Sequence, residues 1–270
     1  VQTCALPISK PQAKAGDVVV SRVKGIDFKM VHCPAGEFWM GSDGTEWYDS
    51  GSRHKVQISK PFLVGQTQVT QAQWEAIMGS NPSRFEGASL PVEQINWFDC
   101  VRFCNALSTA QGLDPVYDVG SGNKPTVSLD LGRNGYRLPT EAEWEYMTKA
   151  GTESEWNYVG YTHLWEVAWY WGICERKTHS VGELKPNYWG VYDCLGNVEE
   201  WCSDQLNDSA YQERTGTTRD PHEWVGSADE QVIRGGSWRD SEDRFRVAYR
   251  ACGGDSGENY LGVRVLRHVR

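Results

Sequence analysis

The sequence predicts an α+β fold in which short strands and a few helices are joined by much irregular backbone. Three observations predict this fold: short apolar segments with strand-like alternation, two helix-capping sequences, and 28 glycines with 13 tryptophans and 12 tyrosines among 270 residues. Glycines allow tight turns and large rings fix loops, whereas a helical core needs few glycines. A chain of this length can bury a sizeable core.

Short strands are predicted first along the chain, because apolar and polar residues alternate there. They cover residues 18–23, 28–32, 36–40, 55–58 and 62–66, with a glycine- and serine-rich loop over 43–53. Residues 1–17 are predicted to be a flexible lead-in. Residues 18–270 are predicted to form a single domain, since no repeat or linker divides them.

Capping boxes predict the start of two helices. The first begins at Thr70 and predicts a helix to residue 78, where Gly79 ends it. The second begins at Thr140 and predicts a helix that ends at Gly151. A further helix is expected over 97–108, because apolar residues recur there at helical spacing.

The remaining segments have weaker patterns. Residues 112–134 are rich in turns, and Tyr117 with 126–131 predicts a hairpin. Residues 152–235 carry seven tryptophans and are interpreted as loops fixed by rings, with short strands only. The alternating residues 260–267 predict a final strand.

The charge of the chain and its N-terminal cysteine limit its partners and location. The net charge of −9 argues against nucleic acid as a partner, because an acidic surface repels phosphate. No stretch of about 20 apolar residues could span a membrane. Cys4 is either the lipid-modified cysteine of a lipoprotein or an unmodified residue near an arbitrary start of the chain. The first interpretation implies the cell surface or the periplasm, and the alternative is the cytoplasm.

The eight cysteines contain no Cys-x-x-Cys pair and no zinc-type spacing. Cys100 and Cys104 are one helical turn apart and could be mistaken for metal ligands. With Phe103 and Leu107 nearby, they are interpreted as small apolar core residues. A disulfide scaffold is not expected at this length and cysteine density.

Eight motifs follow one another along the chain in a specific order. They are Pro-Ala-Gly-Glu-Phe-Trp-Met-Gly-Ser at 34–42, Val-Thr-Gln-Ala-Gln-Trp at 69–74, Pro-Val with Asn-Trp at 91–97, Gly-Tyr-Arg-Leu-Pro-Thr-Glu-Ala-Glu-Trp-Glu-Tyr at 135–146, Pro-Asn-Tyr-Trp-Gly-Val-Tyr-Asp at 186–193, Gly-Asn-Val-Glu-Glu-Trp at 196–201, Arg-Gly-Gly-Ser-Trp at 234–238 and Leu-Gly-Val-Arg at 261–264. This order resembles the formylglycine-generating-enzyme, or sulfatase-modifying, family from about Val31 to the C-terminus. The resemblance implies a C-type-lectin-like α+β fold with small antiparallel sheets, two or three helices and much ordered loop. Arg234 and Arg264 are expected to make internal ion pairs or to cap carbonyls.

The catalytic cysteines of the family have no counterpart here. In catalytic members, two cysteines that follow the Gly-Gly-Ser-aromatic motif bind copper before they oxidise a substrate cysteine. Residues 239–245 read Arg-Asp-Ser-Glu-Asp-Arg-Phe, and Cys252 is alone beyond the expected positions. Because this chemistry needs a pair of soft sulfur ligands, no catalytic residue and no enzymatic activity are expected. The alternatives are a copper oxidase that recruits its metal differently and another thiol chemistry at Cys252.

The sequence gives little support for two further properties of the family, sulfoxide synthesis and calcium binding. The sulfoxide synthases use an extra N-terminal domain with a histidine cluster, which six scattered histidines do not supply. The family can also carry calcium on a loop that includes the Gly-Asn-Val-x-Glu-Trp motif, where Asn197, Glu199 and Glu200 fall. Since the companion site has no clear counterpart, no cofactor is expected, with calcium at Asn197 the one candidate.

A subset of the family consists of variable proteins of diversity-generating retroelements, and the C-terminal segment resembles that subset. In such proteins, randomised adenines convert asparagine codons into codons for any residue except Trp, Met, Gln, Lys and Glu. Positions 239–241, 243–245, 249, 251–256 and 259–261 all obey this rule. The framework positions would be Glu242, Arg246, Val247, Ala248, Arg250, Glu258, Gly262 and Arg264.

Residues 239–261 are therefore predicted to display a diversified ligand-binding surface, because their composition suits adaptable paratopes. Rings of the 165–171 loop, including Trp165 and Tyr170, would wall the same cleft, although core packing is the alternative for at least two of its rings. The backbone of residues 239–261 would be held by Trp238, Arg246, Arg250 and Arg264. The side chains expected to point outward are Arg239, Asp240, Ser241, Asp243, Arg244, Phe245, Tyr249, Asp255, Ser256, Asn259 and Tyr260. The predicted ligand-binding residues are Trp238, Arg239, Asp240, Ser241, Asp243, Arg244, Phe245, Tyr249, Ala251, Cys252, Gly253, Asp255, Ser256, Asn259, Tyr260, Leu261, Trp169 and Trp171.

The expected ligand is a protein or other macromolecule on a cell surface, with a glycan as second choice. The protein is expected to act as a monomer. A purely structural or sensor module is the remaining alternative from another functional class.

Overall fold

The computed structural model describes residues 13–43, 53–122, 124–153, 163–207, 209–224 and 230–269. Cys4 and most of the predicted lead-in lie outside these ranges. The helices are α1 (Gln71–Met78), α2 (Trp97–Ala110), α3 (Glu141–Lys149) and α4 (Ala210–Glu213). The strands are β1 (Val18–Val23), β2 (Ile26–Cys33), β3 (Gly36–Met40), β4 (His54–Ile58), β5 (Phe62–Gly65), β6 (Tyr117–Val119), β7 (Val127–Leu129), β8 (Ala168–Trp169), β9 (Leu195–Gly196), β10 (Glu199–Gln205), β11 (Thr217–Arg219), β12 (Gln231–Arg234), β13 (Ala251–Gly253), β14 (Leu261–Gly262) and β15 (Leu266–His268).

The strands form several small sheets, as expected. One sheet has the order β1-β2-β5-β15 with antiparallel neighbours throughout. A second has the order β13-β12-β10-β14, in which β10 and β14 are parallel. A third has the order β11-β4-β3, and β6 pairs with β7 in the predicted hairpin. The architecture is the α+β, C-type-lectin-like arrangement that the motifs imply.

Local signals in the sequence set the ends of α1 and α3. The Thr70 hydroxyl accepts from the Gln73 amide while the Gln73 side chain accepts from Thr70, and Gly79 ends α1 with φ 83°. Thr140 and Glu143 make the same reciprocal contacts at α3. These bonds satisfy amides that the first turn of a helix leaves without partners.

The helix α3 lies entirely in the interior, which the sequence analysis did not predict. All nine of its residues are buried, including three glutamates. Glu141 and Glu145 both accept from Arg234, at 2.9 and 2.6 Å, and Glu141 also accepts from Arg250. A buried carboxylate is tolerated only when it is paired and hydrogen-bonded, and these arginines provide that pairing.

The expected ion pairs of the two motif arginines are confirmed. Arg264 is fully buried and donates to both oxygens of Glu200, with its shortest contact at 2.7 Å. Its other donors reach the carbonyls of Gly65 and Tyr192. Together with the Arg234 contacts, this bond set ties β14, β10 and the neighbouring loops together.

Three expectations are wrong in detail. The predicted strand over 260–267 is split, because β14 pairs with β10 in one sheet and β15 pairs with β5 in another. The region 152–235 contains a long central strand, the seven-residue β10. At the end of the predicted lead-in, Gly16 and Asp17 exchange backbone hydrogen bonds with His32, so these residues extend the contacts of β2. Among the described residues, no helix is both long and apolar enough to cross a membrane.

Candidate ligand-binding surface

The predicted variable segment is fixed to the scaffold at Trp238. Its amide donates to the Asn197 carbonyl at 2.9 Å, and its indole N–H donates to the Asn259 carbonyl at 2.9 Å. Its ring meets the ring of Phe85 edge-on, with centroids 5.6 Å apart. Trp238 therefore holds the two ends of the segment next to each other.

Backbone contacts secure the far end of the segment. The Glu199 amide donates to the Tyr260 carbonyl at 2.8 Å, and the Gln94 amide donates to the Glu258 carbonyl at 3.0 Å. In between, β13 pairs with β12 along the sheet. These bonds use main-chain atoms, so the backbone course of the segment depends little on which side chains it carries.

The turn after Trp238 is closed by Asp240. Its carboxylate accepts from the amide and the hydroxyl of Ser237, at 2.9 and 2.6 Å. Its carbonyl accepts from the Trp171 amide, which brings the aromatic loop beside the segment. Asp240 is thus largely buried and serves the turn, in contrast to the prediction that its side chain points outward.

Most other predicted side chains lie at the surface. The exposed residues are Arg239, Ser241, Asp243, Arg244, Cys252, Asp255, Ser256 and Trp171. The half-buried residues are Trp238, Ala251, Asn259, Tyr260 and Trp169. The structure therefore brings polar side chains to the surface on both sides of the largely buried residues 245–250, with Trp171 of the neighbouring loop beside them.

Four further residues of the predicted site face inward, among them Phe245 and Tyr249, for which the predicted outward direction is wrong. Phe245 is fully buried, because its ring fills the space above Gly236 and packs against Tyr170 at a centroid distance of 5.7 Å. Gly253 lies against the ring of Trp201. Leu261 is in the core with β14, and Tyr249 keeps only 9% of its surface exposed. The residue types in the sequence do not distinguish these buried positions from the exposed positions beside them.

Two arginines of the segment lie over tyrosine rings. The Arg239 guanidinium is 3.3 Å from the centroid of the Tyr260 ring, and that of Arg244 is 5.3 Å from the centroid of Tyr249. Such stacking is attractive because the ring face is negative. Arg244 also lies 3.8 Å from the Asp240 carboxylate. The surface thus combines cationic, anionic and aromatic groups within a short stretch of chain.

The four rings of the aromatic loop, residues 165–171, are of two kinds: two pack inside the protein and two are exposed. Trp169 stacks on His179 with centroids 3.8 Å apart, and Tyr170 is buried and donates to Glu242 at 2.8 Å. Trp165 and Trp171 are each about half exposed, and the Arg176 guanidinium lies 4.7 Å from the Trp171 ring. Core packing therefore describes two of the four rings, and Trp171 is the ring next to the variable segment.

The sequence suggests Glu199 only as a calcium ligand, but in the structure this residue lies under the candidate ligand-binding surface. Only 3% of the residue is exposed, and its carboxyl has no hydrogen bond or ion pair among the described residues. The pKa of this carboxyl is raised to about 8: burial is the largest cause, Asp240 also raises it, and Arg239 and Arg244 lower it. One feature of the sequence indicates this position: Glu199 and Glu200 are consecutive, and neighbouring residues of a strand face opposite sides of the sheet.

The three candidate calcium ligands do not fit a calcium site. The Asn197 amide oxygen accepts from the His179 amide, and its nitrogen donates to the His179 carbonyl. The Glu200 oxygens are occupied by Arg264 and by the indole of Trp144. Within the described ranges, no group of three or more His, Cys, Asp or Glu residues could hold a metal ion. The expectation that the protein needs no cofactor stays a prediction, to be tested by the melting temperature in chelator.

The described cysteines differ in their exposure. Cys252 is exposed, and the other six, including Cys100 and Cys104, are buried. The interpretation of Cys100 and Cys104 as core residues is confirmed, since both have no exposed surface. The segment after Trp238 carries one described thiol at its surface, that of Cys252.

The whole described domain matches one protein family. The sequence profile of the sulfatase-modifying factor enzyme 1-like domain matches residues 18–269. The chain belongs to this family. Among its members, the formylglycine-generating enzyme of Streptomyces coelicolor is 28% identical over an alignment of 288 positions, which covers 87% of each chain. Chaperone protein LppX of Paenibacillus barcinonensis is 34% identical over 218 residues, 70% of this chain and 73% of that protein.

Solved structures in the sulfatase-modifying factor family confirm the fold. Treponema denticola variable protein 1 superimposes with a TM-score of 0.83 at 33% identity, over 93% of this chain and 99% of that one. This similarity confirms the expected resemblance to a variable protein. PvdO from Pseudomonas aeruginosa, with a TM-score of 0.76 at 24% identity, shares the fold.

Proposed function

We propose that this member of the sulfatase-modifying factor family is a non-catalytic ligand-binding protein with a diversified C-terminal surface, which recognises a macromolecule at a cell surface. The observation that carries the proposal is the contrast within residues 238–261: the backbone is held by main-chain bonds, while many of the side chains between these bonds are exposed. The similarity to Treponema denticola variable protein 1 supports it.

Burial supports five of the eight proposed framework positions. Of the eight framework positions, Val247, Ala248, Arg250, Gly262 and Arg264 are buried. Arg250 and Arg264 pair with carboxylates of the scaffold. Replacement at such positions would leave a buried charge without compensation, which costs about 3–5 kcal/mol. A diversified segment therefore needs these residues to stay constant.

A protein is the preferred ligand, and a glycan is the second choice. Exposed tyrosine, tryptophan and arginine side chains are the residues that most often dominate protein interfaces. Arg239, Tyr260, Arg244 and Trp171 supply these types within one surface. The net charge of −9 makes nucleic acid an unsuitable partner. We propose that one copy of the chain carries a complete site and acts as a monomer.

A copper oxidase that acts on a substrate cysteine is the rival function, because an enzyme of that kind is among the relatives. Cys252 is the exposed thiol of the segment, and the other described cysteines are buried. The rival predicts bound copper after reconstitution and oxygen uptake with a cysteine-containing peptide. Our proposal predicts neither.

We propose that the protein resides at the cell surface or in the periplasm, attached through a lipid on Cys4. A surface location agrees with the proposed recognition of macromolecules on other cells. Mass spectrometry of the protein from its native cells tests this, since the lipid adds a defined mass to the peptide that contains Cys4. An unmodified Cys4 within a longer N-terminus would favour the cytoplasm.

The proposed function is tested first by sequencing the 3′ end of the gene in many isolates or in one large culture. We expect replacements at the exposed positions, such as Arg239, Ser241, Asp243 and Ser256, and none at Glu242, Arg246 or Gly262. The replacements should exclude Trp, Met, Gln, Lys and Glu. An invariant segment would refute the proposed function and would direct attention to metal content and to a single fixed ligand.

A further inference from the structure

The strand β10 begins with two glutamates that have opposite environments. Glu200 is fully satisfied by Arg264, Trp144 and Gln68. Glu199 faces the other side of the strand and has no hydrogen bond or ion pair for its carboxyl among the described residues. A buried carboxyl without a partner costs stability, and a site that binds a ligand is one place where such a cost is retained.

The groups around the Glu199 carboxyl come from the variable segment. Asp240, Arg239 and Arg244 act on its charge. Burial raises the pKa of Tyr249 and Tyr260, and the Glu199 charge adds to this effect. Glu199 is also next to the segment along the backbone, since its amide donates to the Tyr260 carbonyl and it pairs with Leu261. The carboxyl is therefore near enough to interact electrostatically with both arginine–tyrosine stacks.

The side chains that cover Glu199 can move aside. Arg244 has 44% of its side chain exposed, and Arg239 is exposed as well. Neither guanidinium makes a close ion pair: Arg244 is 3.8 Å from Asp240, and Arg239 rests on the Tyr260 ring. Long exposed side chains change rotamer within nanoseconds. Rotation of either arginine would widen the 3% opening that Glu199 keeps.

We infer that Glu199 is a constant anchor within the binding surface, and that it receives the ammonium or guanidinium group of a basic side chain on a protein ligand. This inference rests on the proposed function. Glu199 lies outside residues 239–261, so every version of the segment would surround the same carboxyl. A ligand cation would supply the counter-charge that the free protein lacks, and such pairing between desolvated groups is strong when the geometry is good.

The electrostatics of the free protein agree with this assignment. With a pKa of about 8, the carboxyl is mainly protonated at neutral pH. A cation that binds beside it favours the ionised form and releases the proton. Binding should therefore strengthen as the pH rises from 6 to 9, a range in which a lysine side chain stays charged.

The test uses N-acetyl-lysine methylamide as the probe and the uncharged N-acetyl-norleucine methylamide as its control. Each is titrated into the full chain while the NMR signals of the Trp238 indole and the Tyr260 amide are followed. We expect saturable shifts with the lysine probe and an affinity at least fivefold higher than for norleucine. The variant Glu199→Gln should lose that preference, and Glu75→Gln, which removes an exposed carboxylate on α1, should keep it.

Equal shifts in the wild type and in Glu199→Gln would overturn the inference, and so would the absence of saturable shifts. Unchanged near-UV circular dichroism of Glu199→Gln shows that the variant is folded. A second variant, Arg239→Ser, removes one covering guanidinium and should bind the lysine probe more tightly; weaker binding would count against the inference. Failure here leaves the proposed function intact, because that function is judged by sequence variation over 239–261.

Discussion

Gly253 lies directly against the indole ring of Trp201, so closely that a Cβ on Gly253 would overlap the ring. Trp201 is itself fixed, because it is fully buried and its N–H donates to the Ile95 carbonyl at 3.0 Å. Gly253 obeys the codon rule for variable positions, yet it has no room for a side chain.

We therefore expect Gly253→Ala to lower the free energy of unfolding by about 1–3 kcal/mol, the usual cost of overpacking a core. Urea unfolding followed by tryptophan fluorescence measures the change. The adjacent Gly254 offers a matched control, since a Cβ there meets no atom within 4 Å. Gly254→Ala should change stability by less than about 0.5 kcal/mol. Equal effects of the two substitutions would contradict the packing argument.

Glu141 carries a second prediction, because it pairs with both Arg234 and Arg250 in the interior. The variant Glu141→Gln leaves Arg250 without its carboxylate partner, and removal of one member of a buried pair costs about 3–5 kcal/mol. Urea unfolding of Glu141→Gln and of the surface control Glu75→Gln gives the difference. A decrease in the free energy of unfolding of less than about 1 kcal/mol would show that water or a rearrangement of neighbouring groups compensates the charge of Arg250.

The pH dependence of stability provides a test of Glu199 that needs no ligand. Its pKa is about 8 in the folded protein and near 4.5 in an unfolded chain. Between these values the folded state binds the additional proton, so this group makes the protein less stable as the pH rises from about 5 to 8. The slope from a single such group reaches roughly 1.4 kcal/mol per pH unit.

Glu199→Gln removes this titration, so we expect its advantage over the wild type to grow between pH 5 and 8 and then to level off. Urea midpoints at several pH values for both proteins measure that difference. A constant difference across the range would mean that Glu199 has an ordinary pKa, and therefore that its carboxyl is solvated or paired.

The cysteines should react with an alkylating reagent according to exposure. Burial raises the pKa of the Cys194 thiol to about 12 and that of the Cys100 thiol well above its usual value, whereas Cys252 lies at the surface. Because the thiolate is the reactive form, brief treatment with iodoacetamide should modify Cys252 and spare the six buried cysteines until denaturant is added. Peptide mass spectrometry measures each site, with Cys4 quantified separately. Rapid modification of a second described cysteine would contradict the burial.

The elements that could be predicted from the sequence are those with local signals. The helix α1 begins and ends at the predicted residues because its capping box and Gly79 are within eleven positions of one another. The fully buried α3 could not be predicted as such, since its glutamates are compensated by arginines about 90 to 110 positions away. Charged residues on a helix ordinarily indicate a solvated face, and only the folded chain shows the partners.

The candidate site likewise has parts that could be predicted from the sequence and parts that could not. The resemblance to variable proteins located the segment, and Arg239, Asp243 and Ser256 lie at the surface as expected. Phe245 and Gly253 obey the same codon rule but face inward, because codon chemistry carries no information about direction. Glu199 lies outside the segment in sequence and reaches it only because β10 pairs with β14.

Arg234, Arg250 and Arg264 stand before, within and after the variable segment, and each is tied to a carboxylate of the scaffold. The segment is thereby divided into two short spans whose ends are held by groups that do not change. The entropy lost on ordering each span is then set by its fixed ends more than by its side chains. Under the proposed function, a new set of exposed side chains would be carried by a backbone whose ends are already fixed, which would make the fold tolerant of repeated mutation.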